Sequence, residues 1–113
     1  MDNKTLLTEM REAYSTLNAE YFGGRLPKCF FYVANLTREK WHGYHHTRKD
    51  SKHKIVFDSK TEWTLGLIYE IMAHEMIHAA QKESPSANIQ NEIHGRFFQR
   101  NHVRIFGHKY IRG

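Results

Sequence analysis

The chain has one cysteine, two prolines and no long apolar run. A lone thiol permits no internal disulfide and excludes any zinc site built from four cysteines. That thiol, Cys29, sits in the run Cys29-Phe30-Phe31-Tyr32-Val33-Ala34, where a small buried residue is expected. No stretch approaches the roughly 20 apolar residues of a membrane span. The opening residues, Met1-Asp2-Asn3-Lys4, lead into an amphipathic segment with acids and lack the apolar core of a secretory signal. These absences lead to the expectation of a soluble, cytoplasmic monomer that does not engage membranes. At 113 residues the chain is expected to form a single domain, residues 1–113, around one core.

Acidic residues are missing from one region only. Residues 93–113 hold five basic and no acidic side chains, whereas residues 61–92 carry a net charge of −4. Residues 38–60 carry +4 and residues 1–37 are neutral, so the overall +5 is patterned rather than spread evenly.

Histidine is abundant, and two of the nine form His74-Glu75-Met76-Ile77-His78, an H-E-x-x-H string. At about 100° per residue, positions four apart return to within about 40° of each other, so both imidazoles share a helix face. Glu75 beside them is placed to take a proton from water activated by a metal, the arrangement of a zinc peptidase. A shuffled chain of this composition would show the string in about one case in twenty, so its context has to decide.

The context is helical. Residues 64–82 contain no proline and one glycine, Gly66, and Ser59-x-x-Glu62 upstream reads as a capping box. Leu65, Ile68, Tyr69, Met72, Ala73, Met76, Ile77, Ala79 and Ala80 cover most of the wheel, which predicts a helix buried on most sides. Glu70, His74, Glu75, His78 and Gln81 form a polar stripe on the remaining arc. A metal gives such a stripe a reason, because unpaired buried polar groups cost on the order of 2–7 kcal/mol.

A catalytic zinc needs a third protein ligand and leaves a fourth position for water. Glu83-Ser84-Pro85-Ser86-Ala87-Asn88 reads as a proline-broken loop that turns the chain back. His94 then opens a second helical segment, residues 92–106, on the same face as Phe97, Phe98, Asn101 and Ile105. Spacing favours His94 over Glu92 and His102, which compete for the role. Gly95 beside it is expected to let backbone approach the site closely.

Upstream, apolar residues at Leu6, Met10, Ala13, Tyr14, Leu17 and Tyr21 give a helical period over residues 5–22, stopped by Gly23-Gly24. Strands are expected at residues 29–34, 41–47 and 53–58, with Arg48-Lys49-Asp50-Ser51-Lys52 joining the last two as a hairpin. The fold class is therefore α+β: helix, three strands, two helices, with Gly107 as the final stop. Strand 41–47 is the candidate edge for an added substrate strand. Strand alternation would split His45 and His46 onto opposite faces, which argues against a second metal site with His42. His42, His45, His46, His53, His102 and His108 are expected to be exposed, with one of them near the cleft.

The string His74-Glu75-Met76-Ile77-His78-Ala79, followed by His94-Gly95-Arg96-Phe97-Phe98, resembles the SprT-like (Spartan-type) metallopeptidase pattern of H-E-x-x-H and a downstream H-G-x-x-F. Tyr21-Phe22-Gly23-Gly24-Arg25-Leu26-Pro27 and Trp41-His42-Gly43-Tyr44 are similar to that family's exit from the first helix and its glycine-containing strand. The resemblance spans most of the chain. It implies a zincin-like minimal domain in which the helix after the motif helix carries the third ligand. It further implies a zinc endopeptidase holding one Zn2+ through His74, His78 and His94, with Glu75 as general base, acting on protein or peptide. Family members often act on proteins bound or crosslinked to DNA. They commonly carry a cysteine-rich zinc ribbon, which the single cysteine here cannot build.

Arg96, Arg100 and Arg104 recur every four residues and line one helix face. With Lys109 and Arg112, and with Lys49, Lys52 and Lys54 on the hairpin, they form a candidate phosphate-binding stripe for single- or double-stranded DNA. The bland alternative is a solvated face with cations near a helix C-terminus. Tyr44, Tyr110 and a hairpin histidine are the candidates for stabilising an oxyanion. Two other functions fit the same string: a zinc hydrolase of a non-peptide substrate, and a DNA-binding module with a structural zinc. An intact Glu75 argues against the second, since a structural site has no use for a base there.

Overall fold

A computed structural model describes residues 1–111. Seven elements follow in order: α1 (Asn3–Tyr21), β1 (Cys29–Ala34), β2 (Gly43–Thr47), β3 (His53–Asp58), α2 (Leu65–Glu83), α3 (Ala87–Asn91) and α4 (Arg96–Phe106). The architecture is α+β, with four helices and a small mixed sheet of order β1-β3-β2. β3 is central. It pairs parallel with β1, Cys29 opposite His53, and antiparallel with β2, Gly43 opposite Phe57.

α1 begins where the Asp2 carboxylate accepts the Thr5 N–H and ends at Gly23 and Gly24, both left-handed at φ +60° and +70°. Asn18 locks that exit by accepting the Leu26 N–H and donating to the Leu26 carbonyl, each at 3.1 Å. The face Leu6, Met10, Ala13, Tyr14 and Leu17 packs against α2 and β1. Cys29, Ile55 and Phe57 from the sheet and Ile68, Met72, Met76, Ile77 and Phe98 from α2 and α4 complete the core.

α2 is the hub, contacting α1, β2, α3 and α4. Its cap is not the expected Ser59–Glu62 box. Thr64 caps it instead, accepting the Leu67 N–H, while residues 59–61 form a turn. Asp58 organises that turn, its carboxylate accepting the Leu36 N–H at 2.8 Å and the Thr61 hydroxyl at 2.7 Å. Leu65, placed on the buried arc by periodicity, is exposed, as are Thr64 and Gly66 beside it at the start of the helix. Gly43 permits the close crossing of β2 over α2. A Cβ there would lie 3.0 Å from the Val56 carbonyl oxygen and 3.2 Å from Ile71.

The loop expected after α2 holds a short helix, α3, capped by Ser86. His94 does not open a helix. It sits in the turn between α3 and α4, with Gly95 as the N-cap of α4. At Gly95 a Cβ would meet the Glu92 side chain at 2.6 Å, so the crowding there comes from Glu92. Gly107, left-handed at φ +82°, ends α4 as expected. No helix among the described residues is long and apolar enough to cross a membrane.

Candidate metal centre

α2 places His74 and His78 one turn apart, and the α3 segment brings His94 back over them. The three ring centroids are 5.0, 5.1 and 5.6 Å from one another. One ligand atom from each ring lies within 4.8 Å of the other two, and these histidines form the one such group among the described residues. Neither Glu92 nor His102 joins it. His102 is buried with its Nδ1 on the His108 carbonyl at 2.5 Å, and the Glu92 side chain lies folded against Gly95.

Packing fixes the rings. Phe98, fully buried, lies 4.9, 4.8 and 4.7 Å from His74, His78 and His94, and Tyr110 closes on His74 and His94 at 4.9 and 4.8 Å. Gln81, 2% exposed, sets the orientation of His78. Its amide nitrogen donates to the Glu92 and Ile89 carbonyls, so its oxygen must accept from His78 Nδ1, at 2.8 Å. That tautomer leaves His78 Nε2 with the lone pair that a metal needs.

The electrostatics agree with the geometry. Burial, reinforced by the neighbouring imidazoles, pushes His74 down to about 3. Burial likewise pushes His78 down to about 4, against an opposing pull from Gln81. Both rings are therefore neutral at pH 7, the form that ligates. Three half-buried, convergent imidazoles, with His74 and His78 neutral, fit a divalent ion of intermediate softness, zinc among them.

Glu75, the residue next to the first of these histidines, is 7% exposed. Burial pushes its carboxyl up to about 8, partly countered by a hydrogen bond from the His45 backbone N–H on β2. The edge strand and the histidine helix thus meet at Glu75. Both border a cleft of about 680 Å³ whose walls include His45, Trp41, Tyr44, His94 and Tyr110.

The histidines outside this group are not uniformly exposed. His53 is 2% exposed, with Nδ1 on His45 Nε2 and Nε2 on the Glu83 carboxylate, both at 2.7 Å. His102 is also buried, and His42 and His45 line the cleft. Strand alternation holds: His45 faces inward and His46 outward, so His42, His45 and His46 do not converge. Periodicity places Gln81 on the polar stripe without giving it a role. The signal for that role is its spacing of three residues from His78 on a buried face.

Arg96, Arg100 and Arg104 are exposed on α4, as are Lys49 and Lys52 in the β2–β3 turn. Arg104 is already engaged: it donates to the Tyr21 carbonyl and to Asn101, and lies over the Phe22 ring at 5.3 Å. Arg112, the last member of the expected stripe, lies outside the described residues.

Comparison of the chain with protein-family models, with curated proteins and with solved structures finds no match. The functional reading therefore rests on these residues and their geometry.

Proposed function

We propose that this chain is a zinc-dependent endopeptidase of SprT-like type, with a zincin-like active site, acting on proteins that include DNA-associated ones. The observation that carries the reading is a buried carboxylate, Glu75, adjoining three convergent imidazoles in one open cleft. His74, His78 and His94 would hold the ion. Once bound, zinc lowers the pKa of water and polarises a substrate carbonyl.

The remaining steps belong to the chain itself. Glu75 takes the proton from the attacking water and returns it to the departing amine. Its elevated affinity for a proton suits both transfers. The His45 N–H favours the carboxylate's charged, proton-accepting form. β2, at the sheet edge, offers backbone groups along which an extended substrate can lie as an added strand. Tyr110, in the cleft wall against His74 and His94, is the candidate donor to the developing oxyanion, since strand alternation turns the Tyr44 ring to the face that carries Lys54.

The test joins metal content to turnover. Purified protein is expected to hold about one zinc and to cleave casein or histone in a chelator-sensitive manner, with and without DNA. Glu75→Gln should retain the metal and lose on the order of 10²–10⁴-fold in rate. Wild-type turnover in that variant would end the mechanism. Zinc binding without cleavage of any peptide substrate would favour a non-peptide hydrolase or a structural zinc.

A further inference from the structure

One face of the sheet packs on the helices, and no helix among the described residues covers the other. Alternation puts Phe30, Tyr32, Tyr44, His46, Lys54 and Val56 on this open face, since Cys29, Phe31, Val33, Ile55 and Phe57 belong to the core or pack against it. The register sets Tyr32, Val56 and Tyr44 in one row across the three strands, and Phe30, Lys54 and His46 in the next. Val56 is buried between its neighbours while Tyr32 remains 46% exposed. A shallow groove of about 480 Å³ runs over the row.

Cations surround these rings. Arg48, Lys28 and Lys52 stand 5.5, 5.8 and 5.8 Å from the Phe30 centroid, and Lys54 stands 5.9 Å from that of Tyr44. Residues 28–58 hold seven basic side chains against three acids. Of those acids, Asp58 is buried under its own hydrogen bonds and Asp50 pairs with Arg48 at 3.5 Å. Lys28 and Lys52 have no ion-pair partner among the described residues. The two ammonium groups that converge on this ring without an ion-pair partner repel one another, and an anion relieves that repulsion. A flat aromatic row beside a cationic rim is complementary to a polyanion that exposes ring faces. Unpaired nucleobases meet that description and a duplex does not.

We propose that this open sheet face binds single-stranded nucleic acid, with bases stacking on Tyr32 and Tyr44 and phosphates lying against the cations gathered around Phe30. Tyr44 also lines the metal cleft, so a strand on this face runs beside the edge that borders the candidate active site. The α4 arginines are not needed for this contact.

The test is fluorescence anisotropy with labelled oligo(dT) and oligo(U) of about twelve nucleotides, within the site sizes of stacking platforms. The same measurement is made with a matched duplex and with anionic phospholipid vesicles. Single strands are expected to bind at least about tenfold more tightly than the duplex. Equal affinity for the two oligonucleotides assigns the face to any single strand, and a preference identifies its natural source. Tyr32→Ala with Tyr44→Ala should weaken binding by about tenfold or more. The two Tyr→Phe changes should restore it, because they keep the ring. Lys28→Gln with Lys52→Gln should reduce the slope of log affinity against log salt by about 0.7 per lost contact. Circular dichroism of each variant checks the fold. The proposal is overturned if the alanine pair, still folded, binds like wild type. It is equally overturned if duplex or vesicles bind as tightly as single strands, or if Arg96→Gln with Arg100→Gln abolishes binding while the tyrosine variant does not.

Discussion

Gln81 shows how much one side chain can hold. Its oxygen fixes the His78 tautomer and its nitrogen ties the Glu92 and Ile89 carbonyls, so a single amide joins the α2 ligand to the segment that delivers His94. Gln81→Leu keeps the volume and removes all three bonds. If the site binds zinc, competition against a chromophoric chelator should show a loss of about 10–100-fold in affinity, the usual scale for an outer partner of a metal-ligating histidine. Unchanged affinity would mean that packing by Phe98 and Tyr110 suffices to orient the rings. Cys29 gives a second test at this scale. Burial pushes its thiol up to about 12, so at pH 8 it is protonated and poorly nucleophilic. A thiol reagent should modify it slowly in the native protein and promptly in denaturant; rapid native modification would contradict its burial.

At the scale of elements, the crossing of β2 over α2 positions Glu75, and Gly43 is what lets the two approach. Gly43→Ala pushes a methyl group against the Val56 carbonyl, Phe57 and Ile71, neighbours too rigid to yield without cost. Urea unfolding should show a loss of about 1–3 kcal/mol, the range for overpacking. A neutral result would show that β2 can move away from α2 freely. The periodicity of this chain made α1, α2, the three strands and the pairing of His74 with His78 legible, because each depends on residues close in sequence. It did not reveal α3, five residues long and held by the Ser86 cap and by Gln90 donating to the Ser84 carbonyl at 2.6 Å. The Ser84-Pro85 pair reads as loop, and a helix that short has no period to detect. Nor could it reveal that His53 is buried, since its partner Glu83 lies 30 positions away. Local pattern gives the face of a strand, but not which distant group meets it there.

For the molecule as a whole, the buried imidazoles tie stability to pH. His45, His74 and His78 are held at about 3, about 3 and about 4, in each case mainly by burial. An unfolded histidine titrates near 6.5. As pH falls through 6.5, the unfolded chain therefore takes up protons that the folded chain refuses. Stability drops with pH from there until the folded values are reached. Glu75 acts in the opposite sense: held at about 8 against an ordinary value of 4.5, it makes the folded state the better proton binder between those limits and costs stability as pH rises through them. Three histidines outweigh one carboxylate below about pH 6.5, because every tenfold difference in proton affinity between the folded and unfolded chain is worth about 1.4 kcal/mol at each group. With chelator present, the melting temperature should accordingly fall steeply from pH 6.5 to 4.5 and change little, or decline slightly, from pH 7 to 8. A melting temperature that stayed flat or rose on acidification would show that the histidines are solvated rather than buried neutral. Zinc at neutral pH should raise the midpoint, by about 2.7 kcal/mol of stability at a hundred times its dissociation constant. The same addition at pH 4.5 should do far less, because protons compete with the ion for the same three nitrogens.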